Sequence, residues 1–332
     1  MLVQRLFEGP VDLIGDVHGE CGALLELLDR LGYDADGQHP DQRCLVFVGD
    51  LVDRGPDSPG VVRLVRHLVS RGTAQCILGN HELNVLLNLR KHGNAWFFGE
   101  PESLCKGMDR KSCQVMYGGD EERRECLAFL ASLPLALERP DLRVVHAQWH
   151  EESVQQLREL GDAVKAYAHF KRQIEEAGIE DTVEKELAFQ NHNPVKVATS
   201  GTEERAPEVY FGGGKMRRLQ RCCWWEKLEQ ANGMKPESNG SHQKPLTVIG
   251  HYWRRLPEVP DELARLQLTG PSMFGHSGSF SLLPNRVMCI DYSVGLRYEE
   301  RGRGILSGQL GTGLGALRFP EMEILFENGR QV

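Results

Sequence analysis

VDLIGDVHG, residues 11–19, joins a short apolar run to an aspartate and a histidine that stand two positions apart. Two stretches of the same kind follow along the chain, CLVFVGDLVDRG at 44–55 and QCILGNHE at 75–82. In each stretch an apolar run typical of a buried strand stops at a glycine that is followed by polar residues. Because layered α/β folds place their functional side chains at the carboxyl ends of their strands, the three stretches predict one shared site.

Three apolar runs later in the chain end in the same way. The run at 143–145 is followed by His146, the run at 246–249 by Gly250 and His251, and the run at 287–290 by Asp291. Apolar residues at helical spacing lie between the first strands, within 24–31 and 61–68. The alternation of strands and helices predicts a layered α/β domain.

The strand pattern is interrupted between residues 151 and 245. A charged stretch with helical periodicity covers 151–177, and looser polar and glycine-rich segments follow until the strand pattern resumes at Leu246. We interpret 151–245 as an inserted, partly helical cap that packs over the site. Residues 1–150 and 246–332 then form the catalytic domain.

Charge and composition exclude some classes of partner. The 332 residues carry a net charge of -8, which argues against broad, backbone-driven binding of nucleic acid. The first residues lack a long apolar segment, and no run is long enough to span a bilayer, so we expect no membrane partner. Nine cysteines scattered through the chain are typical of reduced thiols, which predicts a cytoplasmic protein.

The residue types at the strand ends indicate a metal centre. An Asp and a His two positions apart, a second Asp, an Asn-His pair and two later His residues suit divalent ions such as Mn, Fe or Zn. A carboxylate such as Asp50 can bridge two ions, and ions about 3.5–4 Å apart can hold a hydroxide and clamp the oxygens of an in-line displacement. The pattern therefore predicts metal-assisted hydrolysis.

Three motifs carry a resemblance to a known family. GDVHG at 15–19, GDLVDRG at 49–55 and GNHE at 79–82 resemble the signatures of the phosphoprotein phosphatase branch of the calcineurin-like metallophosphoesterases, a branch that includes bacterial diadenosine tetraphosphatases. The resemblance covers 11–150 and 246–325. GHYW at 250–253 is similar to a motif of a little-characterised bacterial group within that branch. The resemblance implies a four-layer αββα sandwich of two mixed sheets with helices outside.

The resemblance also implies residue roles. It implies two divalent ions, with Mn expected first and Fe or Zn as alternatives, and a metal-bridging hydroxide that attacks phosphorus. His81 would protonate the leaving oxygen while Asp53 orients it, and Arg54 would bind the phosphoryl oxygens. The implied ligands divide into a first-metal pair, a bridging residue and a second-metal set: Asp16 and His18; Asp50; and Asn80, His146 and His251.

Several residues leave alternatives open. His150 is a rival to His146 as a ligand, and Trp253 stands where many superfamily members carry a second His. Within the basic stretch 215–221, we expect Arg221 to be the best candidate for binding an anionic substrate, and a solvated face is the alternative. For Trp224 and Trp225 we favour buried packing over stacking on a base, and for Glu82 a supporting role.

The substrate has competing predictions. The leading one is a Ser/Thr phosphoprotein, which requires an open groove beside the metals. The alternative is a dinucleoside polyphosphate such as diadenosine tetraphosphate, or another nucleotide, which requires a narrower basic pocket. RNA-end hydrolysis is a weaker option because the chain is acidic. A non-enzymatic scaffold is expected to lack one or more of Arg54, Asp50, Asn80 and His81, and the chain has all four.

Overall fold

The computed structural model describes residues 1–91, 93–99, 119–212, 215–231, 244–254, 256, 273–274, 282–305 and 310–331. The side chains of 212, 215 and 228–231 are outside that description. The polar stretch 232–243 of the predicted cap also lies outside the described residues. Among the helices described, none is long and apolar enough to cross a membrane.

Two five-stranded mixed sheets form the centre of the fold. The first sheet has the order β12-β11-β2-β3-β4 and the second the order β1-β5-β6-β9-β10. The strands are β1 Val3–Arg5, β2 Val11–Ile14, β3 Cys44–Phe47, β4 Ala74–Cys76, β5 Ala136–Glu138, β6 Leu142–Val145, β9 Leu246–Ile249, β10 Val287–Cys289, β11 Gly315–Phe319 and β12 Glu323–Phe326. In the first sheet β2, β3 and β4 are parallel, and in the second β6, β9 and β10 are parallel. The carboxyl ends of these parallel strands carry the polar motifs.

Helices cover the outer faces of the sheets. They are α1 Cys21–Leu31, α2 Ser58–Ser70, α3 Asn80–Leu86, α4 Ala95–Phe98, α5 Asp120–Ser132, α6 Glu151–Arg158, α7 Ala163–Glu176, α8 Thr182–Asn191, α9 Pro194–Ser200, α10 Trp224–Ala231 and a last short helix Arg297–Gly302. Helix α1 shows why such segments are helical, because Leu24, Leu28 and Leu31 recur at helical spacing on its buried side. The helical stretch predicted at 151–177 is two helices, α6 and α7, separated by a break at 159–162.

Alternate residues of the strands face two different cores. Leu13 and Val46 from the first sheet pack with Val144 and Val248 from the second, which places one apolar layer between the sheets. Ile14 belongs to the other cluster, which the helices share. Both faces of the central strands are therefore buried, as the continuous apolar runs of the sequence indicate. The four-layer αββα sandwich expected from the resemblance is confirmed.

The described part of the 151–245 region packs onto the second sheet. It contains α6 to α10 and a hairpin formed by β7 Glu203–Gly212 and β8 Lys215–Arg221. Leu157, Val195 and Trp225 belong to the same apolar cluster as Val145 and Ile249 of the sheet. This region therefore shares a hydrophobic core with the strands that precede His146 and His251.

Candidate metal centre

The loops after the parallel strands are linked to one another by backbone hydrogen bonds. His18 N donates to Asp50 O at 2.8 Å, and Gly250 N donates to His146 O at 2.9 Å. His18, Asp50 and His251 adopt positive φ angles of 47°, 48° and 64°, which non-glycine residues seldom do. Such conformations cost free energy and are typical of functional sites, where the surrounding fold must impose them.

Glycines precede the polar residues because a side chain would collide with the site. A Cβ atom on Gly79 would lie 2.3 Å from Asp50 Oδ1, and one on Gly250 would lie 2.0 Å from Asp16 Oδ1. Neither position has room for a methyl group. The glycines of the sequence motifs therefore keep space for the carboxylates that follow neighbouring strands.

Predicted ligand side chains from several strand ends lie close to Asp50. His146 Nε2 lies 3.3 Å from Asp50 Oδ2, and His18 Nε2 lies 3.8 Å from the same oxygen. Asp16 Oδ2 lies 3.9 Å from His18 Nε2. Two groups of possible ligand atoms, each within 4.8 Å of one another, share Asp50: His18, Asp50 and His81; and Asp50, His146 and His251.

Two imidazoles are oriented by backbone carbonyls. His18 Nδ1 lies 3.1 Å from Val52 O, and His146 Nδ1 lies 2.7 Å from Val48 O. Because the carbonyl can only accept, Nδ1 must carry the proton, and Nε2 is left as a basic nitrogen that faces Asp50. This is the tautomer in which an imidazole binds a cation.

The charges of the site are matched to a bound cation. Burial, together with the neighbouring carboxylates of Asp291 and Asp50, raises the pKa of Asp16 well above its ordinary value. Burial opposes ionisation of Asp50, yet His146 and His81 hold its pKa well below the usual range. Crowded carboxylates that repel one another in a dry site are stabilised by a positive ion.

The pKa values of the three histidines predicted as ligands do not shift in the same direction. Burial and the charge of Arg54 lower the pKa of His18, and burial and the charge of Arg221 lower that of His251. Burial also acts on His146, but its contact with Asp50 outweighs burial and raises its pKa. His18 and His251 are therefore neutral at pH 7 and have their ligand nitrogens available.

Orphaned polar atoms show that this donor set fits metal ions. Asn80 Oδ1, His146 Nε2 and His251 Nε2 are buried and have no hydrogen-bond partner in the described parts of the chain. Buried polar atoms are nearly always satisfied in folded proteins, so orphaned atoms on three of the predicted ligands indicate a missing partner. Nitrogen and oxygen donors of this kind suit divalent ions.

Asp53 and Trp96, next to the predicted ligands, orient His81. Its Nδ1 lies 2.6 Å from Asp53 Oδ2, while Asp53 Oδ1 accepts a hydrogen bond of 2.7 Å from Trp96 Nε1. His81 Nε2 faces the centre, 3.9 Å from Asp50 Oδ2 and 3.3 Å from Arg54 Nη2. The structure thus brings together the predicted acid, its orienting carboxylate and the predicted phosphoryl-binding arginine.

Glu82 supports the loop that carries Asp50. Its two carboxylate oxygens accept hydrogen bonds of 2.9 Å from Gly79 N and Asp50 N, and of 2.8 Å and 3.2 Å from Leu51 N and Val52 N. Burial and the nearby Asp50 raise the pKa of Glu82 to about 7. Glu82 therefore fixes the backbone of two motifs at once, in keeping with the supporting role expected from the sequence.

Asp291 and Trp96 belong to the site although no role was predicted for them. Asp291 lies against Asp16, and burial raises its pKa to about 6 even though Asp291 Oδ1 accepts a hydrogen bond of 2.8 Å from Ser293 N. Its position after a strand is the same signal that identified the ligands. Trp96 had no such signal, because it lies on a short helix outside every strand-end motif.

Other sequence candidates lie elsewhere. His150 bonds Ser153 Oγ through Nδ1 at 2.9 Å and belongs to neither described ligand group, so the alternative of His150 as a ligand is not supported. Trp225 is buried and stacks on Phe274 with ring centroids 5.6 Å apart, and Trp224 donates to Ala147 O at 3.2 Å, which agrees with packing.

Arg221 contacts the loop that carries His251. Its Nη1 donates to His251 O at 3.2 Å, and its guanidinium lies 5.6 Å from the ring centroid of Tyr252. Trp253, at the position of the absent second His, lies under the guanidinium of Arg54 at 4.8 Å. An aromatic ring therefore supports the arginine at this position.

Comparison with known proteins gives a family match. A family model described as calcineurin-like phosphoesterase matches residues 9–206. Bis(5'-nucleosyl)-tetraphosphatase PrpE (asymmetrical) of Halalkalibacterium halodurans is 38% identical over 152 residues, which cover 43% of this chain and 58% of that protein. The symmetrical bis(5'-nucleosyl)-tetraphosphatase of Ralstonia nicotianae is 32% identical over 155 residues, which cover 45% and 46%. The chain thus spans about half the length of the curated relatives it matches.

A solved structure shares the fold over most of the chain. The cold-active protein-tyrosine phosphatase of a Shewanella species aligns with a TM-score of 0.51 and 19% sequence identity, over 99% of this chain and 81% of that one. At this level of identity the likeness concerns the fold alone.

Proposed function

The chain belongs to the calcineurin-like phosphoesterase family, and on that premise we propose that it is a divalent-metal-dependent hydrolase of phosphate esters or phosphoanhydrides. The observation that carries the proposal is the group of buried ligand atoms around Asp50. His146 Nε2 lies 3.3 Å from Asp50 Oδ2 and, like His251 Nε2, has no hydrogen-bond partner among the described residues. A scaffold protein has no reason to retain such costly orphans.

The predicted ligand set divides between two ions. Asp16 and His18 would hold the first ion, Asp50 would bridge, and the second ion would take the remaining set: Asn80, His146 and His251. When bound, the ions would polarise the phosphoryl oxygens and supply a nucleophilic hydroxide at neutral pH. Manganese is the ion we expect first, with iron or zinc as alternatives, because the donors are imidazole, carboxylate and amide groups.

The remaining residues handle the substrate and one proton. Arg54, whose Nη1 has no hydrogen-bond partner in the described chain, would bind two phosphoryl oxygens and hold phosphorus in line for attack. One P–O bond forms to the oxygen of water, and the P–O bond to the leaving group breaks. The leaving oxygen takes its proton from His81 Nε2, and Asp53 stabilises the charged imidazole through the 2.6 Å contact with Nδ1.

We infer that the substrate is a dinucleoside polyphosphate. Two of the curated relatives are named as bis(5'-nucleosyl)-tetraphosphatases, and Arg221 places a positive charge beside the backbone of His251. That the substrate is a Ser/Thr phosphoprotein stays a prediction. An assay with a phosphopeptide distinguishes this substrate from a dinucleoside polyphosphate. We further propose that 151–245 acts as a cap, which is supported by its shared core with the strands that carry His146 and His251.

An activity panel with one variant tests the function. The manganese-loaded protein is assayed on four substrates: p-nitrophenyl phosphate, bis-p-nitrophenyl phosphate, diadenosine tetraphosphate and a phosphoserine peptide. We expect diadenosine tetraphosphate to give the highest kcat/KM. Asp50→Ala is expected to lower every measurable rate at least about 1,000-fold, because it removes the ligand shared by both ions.

The control is Asp29→Ala, which makes the same chemical change on the exposed side of α1. It should retain activity, while circular dichroism shows both variants folded. A folded Asp50→Ala protein with near-wild-type activity contradicts the proposed function. A phosphopeptide preference contradicts the substrate assignment only.

A further inference from the structure

The GHYW stretch at 250–253 places an aromatic ring beside the predicted phosphoryl-binding arginine. Trp253 is half-buried, and the guanidinium carbon of Arg54 lies 4.8 Å from its ring centroid. Arg54 follows strand β3 of the first sheet and Trp253 follows strand β9 of the second. The contact therefore joins the two sheets, and a cation at this distance is attracted by the negative face of the indole ring.

The backbone of Arg54 is fixed, but the backbone alone does not decide where the guanidinium points. Arg54 has a φ angle of 70°, and its N donates to Gly93 O at 3.1 Å. A Cβ atom on Gly93 would lie 2.9 Å from Arg54 N, so these two segments pack closely. An arginine side chain has several further rotatable bonds. Contacts beyond the backbone must therefore hold its charged end.

A carboxylate, the usual partner of a buried arginine, does not hold Arg54. Arg43 shows the usual arrangement, because its Nη2 lies 2.8 Å from Asp12 Oδ1. Arg54 has no carboxylate within 4.0 Å in the described parts of the chain, and its Nη2 lies 3.3 Å from His81 Nε2. Asp291 lies farther away, although the charge of Arg54 opposes the effect of burial on its pKa. The ring of the tryptophan is thus the contact that takes the place of a counter-ion.

A ring holds this cation without competing for it. A carboxylate would offset the charge of Arg54, accept its N–H groups and repel an anionic phosphoryl group. An aromatic face attracts the cation through its quadrupole and carries no net charge. The planar fork of N–H donors then remains available for oxygens. In keeping with this, Arg54 Nη1 is buried and has no hydrogen-bond partner among the residues that the structure describes.

A second contact limits the movement of the guanidinium at Nη1. A Cβ atom on Gly295 would lie 2.7 Å from Arg54 Nη1 and 2.4 Å from His18 Cδ2. Gly295 lies in the short 3₁₀ turn Val294–Leu296 and is not among the glycines with positive φ. Space, and not backbone conformation, therefore requires a glycine here. The turn packs against both the arginine and a predicted ligand of the first metal.

The ring itself has a fixed place, because the backbone on both sides of Trp253 is held. Tyr252 N donates to Gly250 O at 2.7 Å, and Arg254 N donates to Asp291 O at 2.9 Å. Tyr252 and Arg254 are both buried. Trp253 is thus a half-buried ring between two anchored residues, and it can act as a fixed support for a flexible side chain.

We propose that Trp253 is a positioning residue for Arg54, whose guanidinium it holds toward the phosphoryl group under attack while the charge and the N–H donors remain available to the substrate. The proposal rests on the proposed function. It concerns the phosphoryl group itself, so it applies to phosphate esters and phosphoanhydrides alike. Trp253 takes no part in proton transfer.

Variants that remove or keep the ring test this role. With the manganese-loaded protein, kcat and KM are measured on p-nitrophenyl phosphate, and the Kd of orthophosphate is measured by calorimetry. We expect Trp253→Leu to lower kcat/KM and to weaken orthophosphate binding by about 3- to 30-fold each, the strength of a cation–π contact. Trp253→Phe keeps an aromatic face and should stay within about threefold of the wild type. Metal content by mass spectrometry should be the same in all of them.

A double-mutant cycle shows whether Trp253 acts through the arginine. In the Arg54→Met protein, Trp253→Leu should change the Kd of orthophosphate less than about twofold, because the ring has no cation to hold. The matched control is Phe319→Leu, which removes a ring that lies 5.4 Å from the guanidinium of Arg139. Phe319 pairs with Val11 at the amino end of β2, away from the metal centre, so this variant should leave the rates and the Kd unchanged.

Four results overturn the positioning role. They are an effect of Trp253→Leu below about twofold, an equal effect with and without Arg54, a phenylalanine variant as impaired as the leucine variant, and a loss on diadenosine tetraphosphate that is absent on p-nitrophenyl phosphate. The second indicates a structural role, and the fourth a ring that contacts a base. Trp253→Gln, which also lacks a ring, repeats the test if circular dichroism shows the leucine variant unfolded.

The binding cycle separates this role from the proposed function. If the wild-type protein hydrolyses none of the substrates but orthophosphate binding still couples Trp253 to Arg54, the function is wrong and the positioning role stands. If the wild-type protein is active and the two substitutions are additive, the function stands and the positioning role is wrong.

Discussion

Replacement of Asp53 by asparagine tests the proton-transfer role of His81 without removing a ligand. The two oxygens of Asp53 accept from two donors, His81 Nδ1 at 2.6 Å and Trp96 Nε1 at 2.7 Å. An asparagine has one oxygen and one NH₂ group. Because the indole nitrogen can only donate, the oxygen faces Trp96 and the NH₂ group faces His81. His81 must then hold its proton on Nε2 alone, and the doubly protonated ring loses its counter-charge.

The expected magnitude follows from the loss of general acid catalysis. General acids contribute about 10²- to 10⁴-fold, which is about 2.7–5.4 kcal/mol of transition-state stabilisation. We expect kcat of Asp53→Asn to fall within that range for phosphate esters of alcohols with high pKa. For p-nitrophenyl phosphate, whose leaving group needs little protonation, the fall should be tenfold or less. The assay is kcat against leaving-group pKa for a series of aryl and alkyl phosphates.

Two measurements distinguish loss of general acid catalysis by His81 from the effects of removing a negative charge or of losing bound metal. Asp57→Asn makes the same change at the first turn of α2, where Asp57 caps Gly60 N, and should leave the slope against leaving-group pKa unaltered. Metal content by mass spectrometry should be the same in both variants and the wild type. A threefold or smaller effect of Asp53→Asn on every substrate, or an equal fall for all leaving groups, refutes the assignment of His81 as the acid.

Three further predictions concern metal binding and stability. Glu82→Gln should lower the free energy of unfolding in urea by about 2–6 kcal/mol. Each carboxylate oxygen accepts from two backbone N–H groups, so replacing one oxygen by NH₂ leaves two of these groups without an acceptor, at about 1–3 kcal/mol each. A change below about 0.5 kcal/mol would count against this role. Gly250→Ala should weaken metal binding at least tenfold, as measured by calorimetry, because the new Cβ atom would lie 2.0 Å from Asp16 Oδ1. The control Gly22→Ala should leave metal binding unchanged, because a Cβ atom there meets nothing within 4 Å. Burial lowers the pKa of Lys196 to about 8 in the folded protein, below the value of 10.5 expected in the unfolded chain. Between pH 8 and 10.5 the lysine is therefore protonated in the unfolded chain and largely neutral in the folded one. The stability of the wild type relative to Lys196→Met should therefore rise as pH increases from about 8 to 10, and a flat or falling difference contradicts the burial of this lysine.

The polar residues at the strand ends could be predicted because they follow a local sequence pattern. An apolar run followed by Gly and a polar residue fixes both the strand and the direction of the side chain, as at Gly15-Asp16 and Gly250-His251. Parallel pairing of the strands then brings the polar residues to one edge. Asp291 also follows an apolar strand, although no glycine precedes it, and its place beside Asp16 could have been inferred from that position.

The positions of Trp96 and Lys196 could not be predicted from that sequence pattern. Trp96 lies on a four-residue helix, and its bond to Asp53 depends on how that helix packs, which no local spacing encodes. Lys196 follows Pro194 at the start of α9, so its sequence predicts only a helix start. The loss of water around its charge depends on how α9 packs, which is a property of the tertiary structure alone.

The predicted metal ligands are coupled to α9 through the loop that follows β6. The family match covers residues 9–206, which include the strand before His146 and helix α9 but not the strand before His251. Ala147, next to His146, donates to Ala198 O on α9 at 2.8 Å and accepts from Trp224 Nε1 at 3.2 Å. A substitution that shifts α9 is therefore expected to move the loop that carries His146. The helices of the 151–245 region thus bear on the geometry of the predicted metal centre, although none of the predicted ligands stands on them.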